Sequence, residues 1–196
     1  LSDDYYPALQ RDNVAVETTP IERLDSNSLV TADGVHHHVD CLVVATGFHS
    51  HDFLPGIQVT GLGNADLHKE WENKGGAEAY LGITVAGFPN LFFLYGPNTN
   101  LGHSSIVFMI ECQVHYILKT IDLLKRKGGS AIEITHNSMG EFNQTIQQNL
   151  KRTAWAGSCN SWYKSAQGKI INNWSTHTVG YWLRTRRPIA DHYHVK

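Results

Sequence analysis

The sequence predicts an α/β fold, and three observations support that prediction. Two continuous apolar runs, at residues 42–44 and 91–95, have the composition of strands that are buried on both faces. Each run ends at a glycine turn. The second is followed by a stretch, residues 104–126, in which apolar residues recur every three or four positions, as on one face of a helix. Strands that alternate with such helices are typical of a sheet covered by helices.

The composition limits the class of protein. The 196 residues are 41% apolar and include five Trp, eight Tyr and seven Phe, which is enough for a packed core and excludes intrinsic disorder. Sixteen basic and 18 acidic residues give a net charge of −2, without the basic face that nucleic acid requires. No apolar run reaches the roughly 18 residues that a membrane span needs.

The cysteines and the first residue bear on the origin of the chain. Cys41, Cys112 and Cys159 form neither a closed disulfide set nor a metal-binding spacing, so we expect a reducing, cytoplasmic compartment. The sequence begins at Leu1, with no initiator Met and no signal-peptide pattern. We therefore expect it to be a piece of a longer protein.

The first 48 residues predict short strands. A brief extended run covers residues 14–17, and a hairpin joins residues 28–31 to residues 35–39. The Asp33–Gly34 pair between these runs is a turn signal, because glycine adopts positive φ without steric cost. The chain then continues into the apolar strand at residues 42–44, which ends at Thr46 and Gly47.

The rest of the chain predicts two helices and two further strands. Residues 49–80 have no sustained period, and extended residues 82–86 lead to the apolar strand at 91–95. The helix at 104–126 has Ser104 or Ser105 as its N-cap and ends at two glycines. A short strand at 131–134 and a helix at about 139–153 follow, and the tail from Trp155 is expected to be irregular.

Ligands of open α/β sheets bind outside the carboxyl ends of the strands. Ala45–Gly47 and Tyr95–Asn98 both follow a predicted strand, and in each a glycine lets the backbone approach a ligand. The predicted helix start near Ser104 offers free N–H groups to a phosphate or to the edge of a reduced flavin. The pattern alone leaves open an ordinary strand–turn–helix, because no Gly-x-Gly-x-x-Gly fingerprint joins a strand to a helix here.

A series of motifs occurs in this order along the chain: Asp40-Cys-Leu-Val-Val-Ala-Thr-Gly-Phe48, Gly61-Leu-Gly63, Trp71, Ala79-Tyr-Leu-Gly82, Gly87-Phe-Pro-Asn-Leu-Phe92, Gly96-Pro-Asn98, Gly102-His-Ser104, Ile110-Glu-x-Gln113 and Cys159-Asn-Ser-Trp-Tyr163 with Gly168-Lys169. This ordered series resembles the class B flavoprotein monooxygenases, the family of flavin-containing and Baeyer–Villiger monooxygenases. The resemblance covers nearly the whole chain.

The resemblance implies the C-terminal part of a flavoprotein with two Rossmann-like dinucleotide-binding domains, incomplete in this chain. Residues 1–44 would end the NADP-binding domain, residues 45–126 would be the C-terminal half of the FAD-binding domain, and residues 127–196 would form a cap on the substrate side. The implied activity uses FAD and NADPH to insert one oxygen atom of O2 into a ketone or soft heteroatom through a flavin C4a-peroxide, on a small apolar organic substrate. The fragment is not expected to be active alone.

The resemblance also assigns roles to individual residues. Ala45, Thr46 and Gly47 would pass close to the FAD backbone and its phosphates, and Gly96, Pro97 and Asn98 would approach the ribityl chain and the flavin. Ser104, Ser105 and Ile106 would face the pyrimidine edge of the flavin, and Trp162 would contact the nicotinamide cofactor. No catalytic residue and no metal ligand is assigned.

Other candidates have competing interpretations. Adjacent strand residues alternate faces, so His36, His37 and His38 cannot all bind one metal ion, and we expect a solvated hairpin edge. His103 either donates to a flavin oxygen or caps the helix, and Glu111 is either paired or exposed. Cys112 has no adjacent base that would make it a nucleophile. Two rival functions remain: another oxidoreductase of this fold, such as a disulfide reductase, and a non-catalytic fragment.

Overall fold

The computed structural model describes residues 2–48, 50, 52–157 and 161–196. It contains two compact units, residues 1–47 and residues 48–196, each of which is described by itself. The described part of the chain contains no helix that is long and apolar enough to cross a membrane.

The first unit contains a helix and a three-stranded antiparallel sheet. Helix α1 covers Tyr5–Leu9, and strands β1 (Ile21–Leu24), β2 (Ser28–Thr31) and β3 (His36–His38) pair in that order. The predicted hairpin is confirmed, with Ser28 opposite His38 and Gly34 at φ +81° in the turn. The Thr31 hydroxyl donates to the Asp33 carboxylate at 2.5 Å, which fixes the turn.

The strand predicted at residues 42–44 is wrong. These residues belong to no strand, and Val43 is 80% exposed. Residues 14–17, which were expected to be extended, also lie outside the sheet. A strand that is buried on both faces needs a neighbouring strand, and among the described residues none pairs with this run.

The second unit is mainly helical. It contains α2 (Leu67–Asn73), α3 (Ile106–Arg126), α4 (His136–Leu150) and α5 (Thr178–Thr185), with β4 (Ile132–Ile134) paired antiparallel to β5 (Tyr193–Val195). The two predicted helices and the predicted strand at 131–134 are confirmed. Helix α4 begins earlier than expected, because Thr135 caps it by accepting from the Ser138 N–H at 3.2 Å.

Further sequence predictions fail in this unit. Residues 91–95 form no strand; the Phe93 N–H donates to the Ile83 carbonyl at 2.8 Å, and residues 82–86 form turns around a single bridge between Thr84 and Tyr80. Conversely, α2 lies in the segment that was expected to be irregular, where Asp66 caps it, and α5 lies in the tail. Both helices have eight residues or fewer, which is too short for a clear apolar period.

The core of this unit lies between α3, α4, α5 and the loops around residues 79–88. The buried side of α3 differs from its apolar stripe. Gln113, Tyr116 and Thr120 are buried there, whereas Val114 and Leu118, two of the regularly spaced apolar residues that predicted the helix, are exposed. The helix bounds are therefore confirmed, but the face that α3 buries is partly polar.

Candidate functional site

The start of α3 is an exposed, capped helix terminus. Ser105 lies in the N-cap position, and its hydroxyl accepts from the Phe108 N–H at 3.2 Å. Ser104 and Ser105 are exposed, Ile106 is half-buried, and the first turn carries no acidic side chain. The remaining N–H groups of the first turn have no partner within the helix, so this end presents a positive partial charge.

The loop that precedes α3 is buried at residues 96–98. A Cβ added to Gly96 would overlap the Gly82 carbonyl oxygen and lie 2.9 Å from Phe93 Cβ. The need for glycine at this position is therefore explained by close packing of two backbone turns of the same chain. Whether the loop also approaches a ligand remains a prediction.

Asn98 holds the loop to the C-terminal tail. Its backbone N–H donates to the Ile171 carbonyl at 2.8 Å, and its Nδ2 donates to the carbonyls of Ile170 at 2.9 Å and Asn173 at 3.1 Å. The side chain is buried, and its Oδ1 has no hydrogen-bond partner among the described residues. The side chain thus joins two segments that are more than 70 positions apart in the sequence.

The pairing continues beyond Asn98 in the manner of a short parallel ladder. The Asn100 N–H donates to the Asn172 carbonyl, and the Trp174 N–H donates to the Asn100 carbonyl, each at 2.8 Å. The Tyr95 hydroxyl donates to Asn100 Oδ1 at 2.9 Å, which closes the loop on itself. Residues 170–174 of the tail are therefore hydrogen-bonded to the segment before α3 and lie directly beside it.

Trp162 is joined to this ladder through Asn172. Its carbonyl accepts from Asn172 Nδ2 at 2.9 Å and from the Ser50 hydroxyl at 2.8 Å. Its ring packs on Tyr163 with centroids 4.1 Å apart and is 50% exposed. The backbone of Trp162 is thus anchored, while its ring remains available to a ligand. Sequence reasoning assigned no role to Asn172, because a single polar residue in an aromatic tail carries no pattern.

Ala45, Thr46 and Gly47 belong to the first unit and are exposed. Gly47 has φ +79°, and open space surrounds the position of its missing Cβ. The backbone of this segment is therefore accessible, as contact with a ligand would require. Its assigned role stays a prediction.

The remaining candidates have ordinary partners. His36 lies 3.5 Å from an Asp25 oxygen, whereas His37 lies 3.8 Å from a Glu17 oxygen. Within the described ranges, no three side chains of metal-binding type are grouped. His103 contacts the Ser104 hydroxyl at 3.1 Å and does not provide the cap of α3.

Glu111 and Cys112 lie on a cleft between α3 and α5. The cleft has a volume of about 320 Å³ and is also lined by His115, Trp182 and Arg186. Burial raises the pKa of the Cys112 thiol, which disfavours the thiolate and agrees with the expectation that it is no nucleophile. Cys159 lies outside the described residues.

A comparison with models of protein families found no match. Among curated proteins, the chain is 39% identical over its full length to a Baeyer–Villiger monooxygenase of Pseudomonas aeruginosa and covers 37% of it. It is 40% identical over 92% of its length to an FAD-binding monooxygenase of Aspergillus niger, of which it covers 30%. A Baeyer–Villiger monooxygenase of Streptomyces coelicolor is 38% identical, and 38% of it is covered. The chain thus spans between 30% and 38% of the length of these relatives.

Solved structures agree. A closed structure of cyclohexanone monooxygenase matches the whole chain with a TM-score of 0.77 and 29% identity, and 38% of that protein is covered. An oxidized steroid monooxygenase bound to NADP matches 98% of the chain with a TM-score of 0.76 and 26% identity, over 37% of its own length. The predicted fold class, part of a flavoprotein with two dinucleotide-binding domains, is confirmed.

Proposed function

Because this chain belongs to the Baeyer–Villiger and related FAD-binding monooxygenases, we propose that it works as the C-terminal part of an FAD- and NADPH-dependent monooxygenase. The observation that carries the proposal is similarity over at least 92% of the chain to monooxygenases of three organisms. A disulfide reductase of the same fold is not favoured, since the similar proteins are named as monooxygenases.

When bound, FAD would supply the redox chemistry: hydride acceptance from NADPH and activation of O2, with one oxygen atom entering the substrate and the other leaving as water. The proposed reaction therefore consumes NADPH, a proton, O2 and a small apolar substrate, and releases NADP+, water and the oxygenated product. A ketone or a soft heteroatom is the proposed acceptor. The free thiols of Cys41 and Cys112 support a cytoplasmic location.

Four features of the start of α3 support its proposed contact with the flavin edge. Ser104, Ser105 and Ile106 would face the pyrimidine edge, where reduction places negative charge. The helix has 21 residues, its terminus is exposed, and no carboxylate in the first turn opposes that charge. The positive end of the helix dipole would stabilise the reduced state.

The loop before α3 would hold the flavin from another side. Gly96, Pro97 and Asn98 would approach the ribityl chain, and the hydrogen bonds of Asn98 to the tail keep this loop in one conformation. The buried Oδ1 of Asn98, which lacks a partner among the described residues, suits a hydroxyl donor. Preorganisation of this kind lowers the cost of ordering the site when the cofactor binds.

Two further segments complete the proposed assignment. The exposed backbone of Ala45, Thr46 and Gly47 would lie along the phosphates of FAD, where the missing side chain of Gly47 permits close approach. The half-exposed ring of Trp162 would contact the nicotinamide of NADPH. The proposed domain roles are those that the resemblance implies. Residues 1–44 would belong to the NADP-binding domain, residues 45–126 to the FAD-binding domain and residues 127–196 to a cap.

The proposal is tested on the full-length protein that contains this chain. It should purify with bound FAD, and with a cyclic ketone it should consume NADPH and O2 in equal amounts while an ester forms. The control is the same protein with a disulfide substrate and no O2. NADPH oxidation under that control condition would favour a disulfide reductase. A colourless protein that binds no added FAD would refute the proposal.

A further inference from the structure

Two bulky residues beside the loop have a left-handed backbone. Leu81 has φ +55° and Tyr95 has φ +56°, and each is followed directly by a glycine, Gly82 or Gly96. Left-handed conformations are costly for such residues and persist only where the surroundings enforce them. Neighbouring groups must therefore hold both turns in place.

The two turns interlock with each other. A Cβ on Gly96 would overlap the Gly82 carbonyl oxygen. A Cβ on Gly82 would overlap the methyl group of Thr99 and lie 2.7 Å from the Pro97 carbonyl oxygen. The turn at Gly82 therefore sits inside the curve of residues 96–99, and neither turn can move without the other.

A chain of hydrogen bonds that runs through Gln113 and Tyr181 ends on both strained residues. The Tyr95 N–H donates to Gln113 Oε1 at 2.8 Å, and Gln113 Nε2 donates to the Tyr181 hydroxyl at 3.0 Å. The Tyr181 hydroxyl in turn donates to the Leu81 carbonyl at 2.7 Å. Gln113 and Tyr181 are both fully buried, so water cannot replace the bond between them or the bond to the Leu81 carbonyl, while the bond from the Tyr95 N–H is partly buried.

We infer that Gln113 and Tyr181 are positioning residues that clamp the two interlocked turns, and with them the loop at residues 96–98, for the flavin. Gln113 lies on α3, about two turns beyond its N-cap at Ser105. The clamp thus ties the loop to the same helix whose start is proposed to face the cofactor. This inference rests on the proposed function, and it assigns to α5, through Tyr181, a part in cofactor binding.

The structure offers a matched control for Tyr181. Tyr116 is also a buried tyrosine, on α3, but its hydroxyl pairs with the Tyr193 hydroxyl at 3.0 Å and does not take part in the clamp. Tyr181→Phe and Tyr116→Phe remove the same atom from equally buried sites. Gln113→Met removes both bonds of Gln113 at nearly constant side-chain length.

The experiment uses the full-length protein and compares these three variants with the wild type. It measures the FAD dissociation constant, the visible spectrum of the bound flavin, the melting temperature and amide hydrogen exchange of the peptide at residues 93–100. We expect Tyr181→Phe and Gln113→Met to weaken FAD binding about fivefold or more, shift the spectrum and speed exchange. Tyr116→Phe should lower the melting temperature but leave FAD affinity within about twofold.

The outcomes separate the inference from the function on which it rests. Equal FAD affinity and spectra in the wild type and both clamp variants would overturn it, as would an equal loss in Tyr116→Phe. If Gln113→Met fails to fold, the FAD affinity and spectrum of the milder variant Tyr181→Phe decide whether the inference holds. A wild-type protein that binds no FAD overturns the proposed function and the flavin role together, whereas unchanged exchange at residues 93–100 overturns the clamp itself.

Discussion

Gly96→Ala tests the interlocked turns most directly. The added methyl group would overlap the Gly82 carbonyl oxygen and approach Phe93 Cβ to 2.9 Å. The nearest obstacle is backbone, which cannot rotate away as a side chain can. Overpacking of a closed site costs about 1–3 kcal/mol, and the upper half of that range applies here because both turns are held by hydrogen bonds to fully buried side chains.

We therefore expect Gly96→Ala to lower the free energy of unfolding by about 2–3 kcal/mol in denaturant titrations with an unchanged m-value. Gly140→Ala is the control, because Gly140 is exposed within α4 and a Cβ there would meet no atom within 4 Å. That change should raise stability by up to about 1 kcal/mol. A loss below about 0.5 kcal/mol for Gly96→Ala would show that the turns can separate, and would refute the reasoning.

Three further changes probe the start of α3, the Trp162 segment and the core. Ser105→Ala should lower the free energy of unfolding by about 1 kcal/mol, since α3 loses its N-cap; a thermal melt identical to the wild type would contradict this. Asn172→Ala removes the amide that holds the Trp162 carbonyl, so we expect NADPH affinity of the full-length protein to fall about fivefold in fluorescence titrations, with FAD affinity unchanged. Burial raises the pKa of Tyr80 to about 12 from its ordinary 10.0. The folded state therefore keeps this proton longer, and the contribution of Tyr80 to stability should be constant below about pH 10 and fall between about pH 10 and 12. Tyr80→Phe should reduce that fall in denaturant midpoints, and an unaltered slope would count against it.

Local signals in the sequence predicted local structure well. The Asp33–Gly34 turn, the helix at 104–126 and the second helix were predicted, because their turn chemistry, caps and periodicity act within a few residues. The start of α3 could be found in the same way. The clamp of Gln113 and Tyr181 could not, since it joins residues 68 positions apart and depends on how α3 packs against α5. The motif series that resembles the monooxygenases includes Gln113, but the resemblance assigned no role to this residue.

Three of the failures of sequence reasoning share one physical cause. Apolar runs predict burial, and at residues 42–44, at residues 91–95 and on the side of α3 that carries Val114 and Leu118, described neighbours do not supply full burial. On α3 the discrepancy is sharpest, because the polar Gln113 is fully buried while Leu118 is 57% exposed. A helix that buries a glutamine in preference to a leucine does so for a specific reason, since an unpaired buried amide would be costly. Here both ends of the amide are satisfied, and the bonds they form reach the two strained turns of the candidate site.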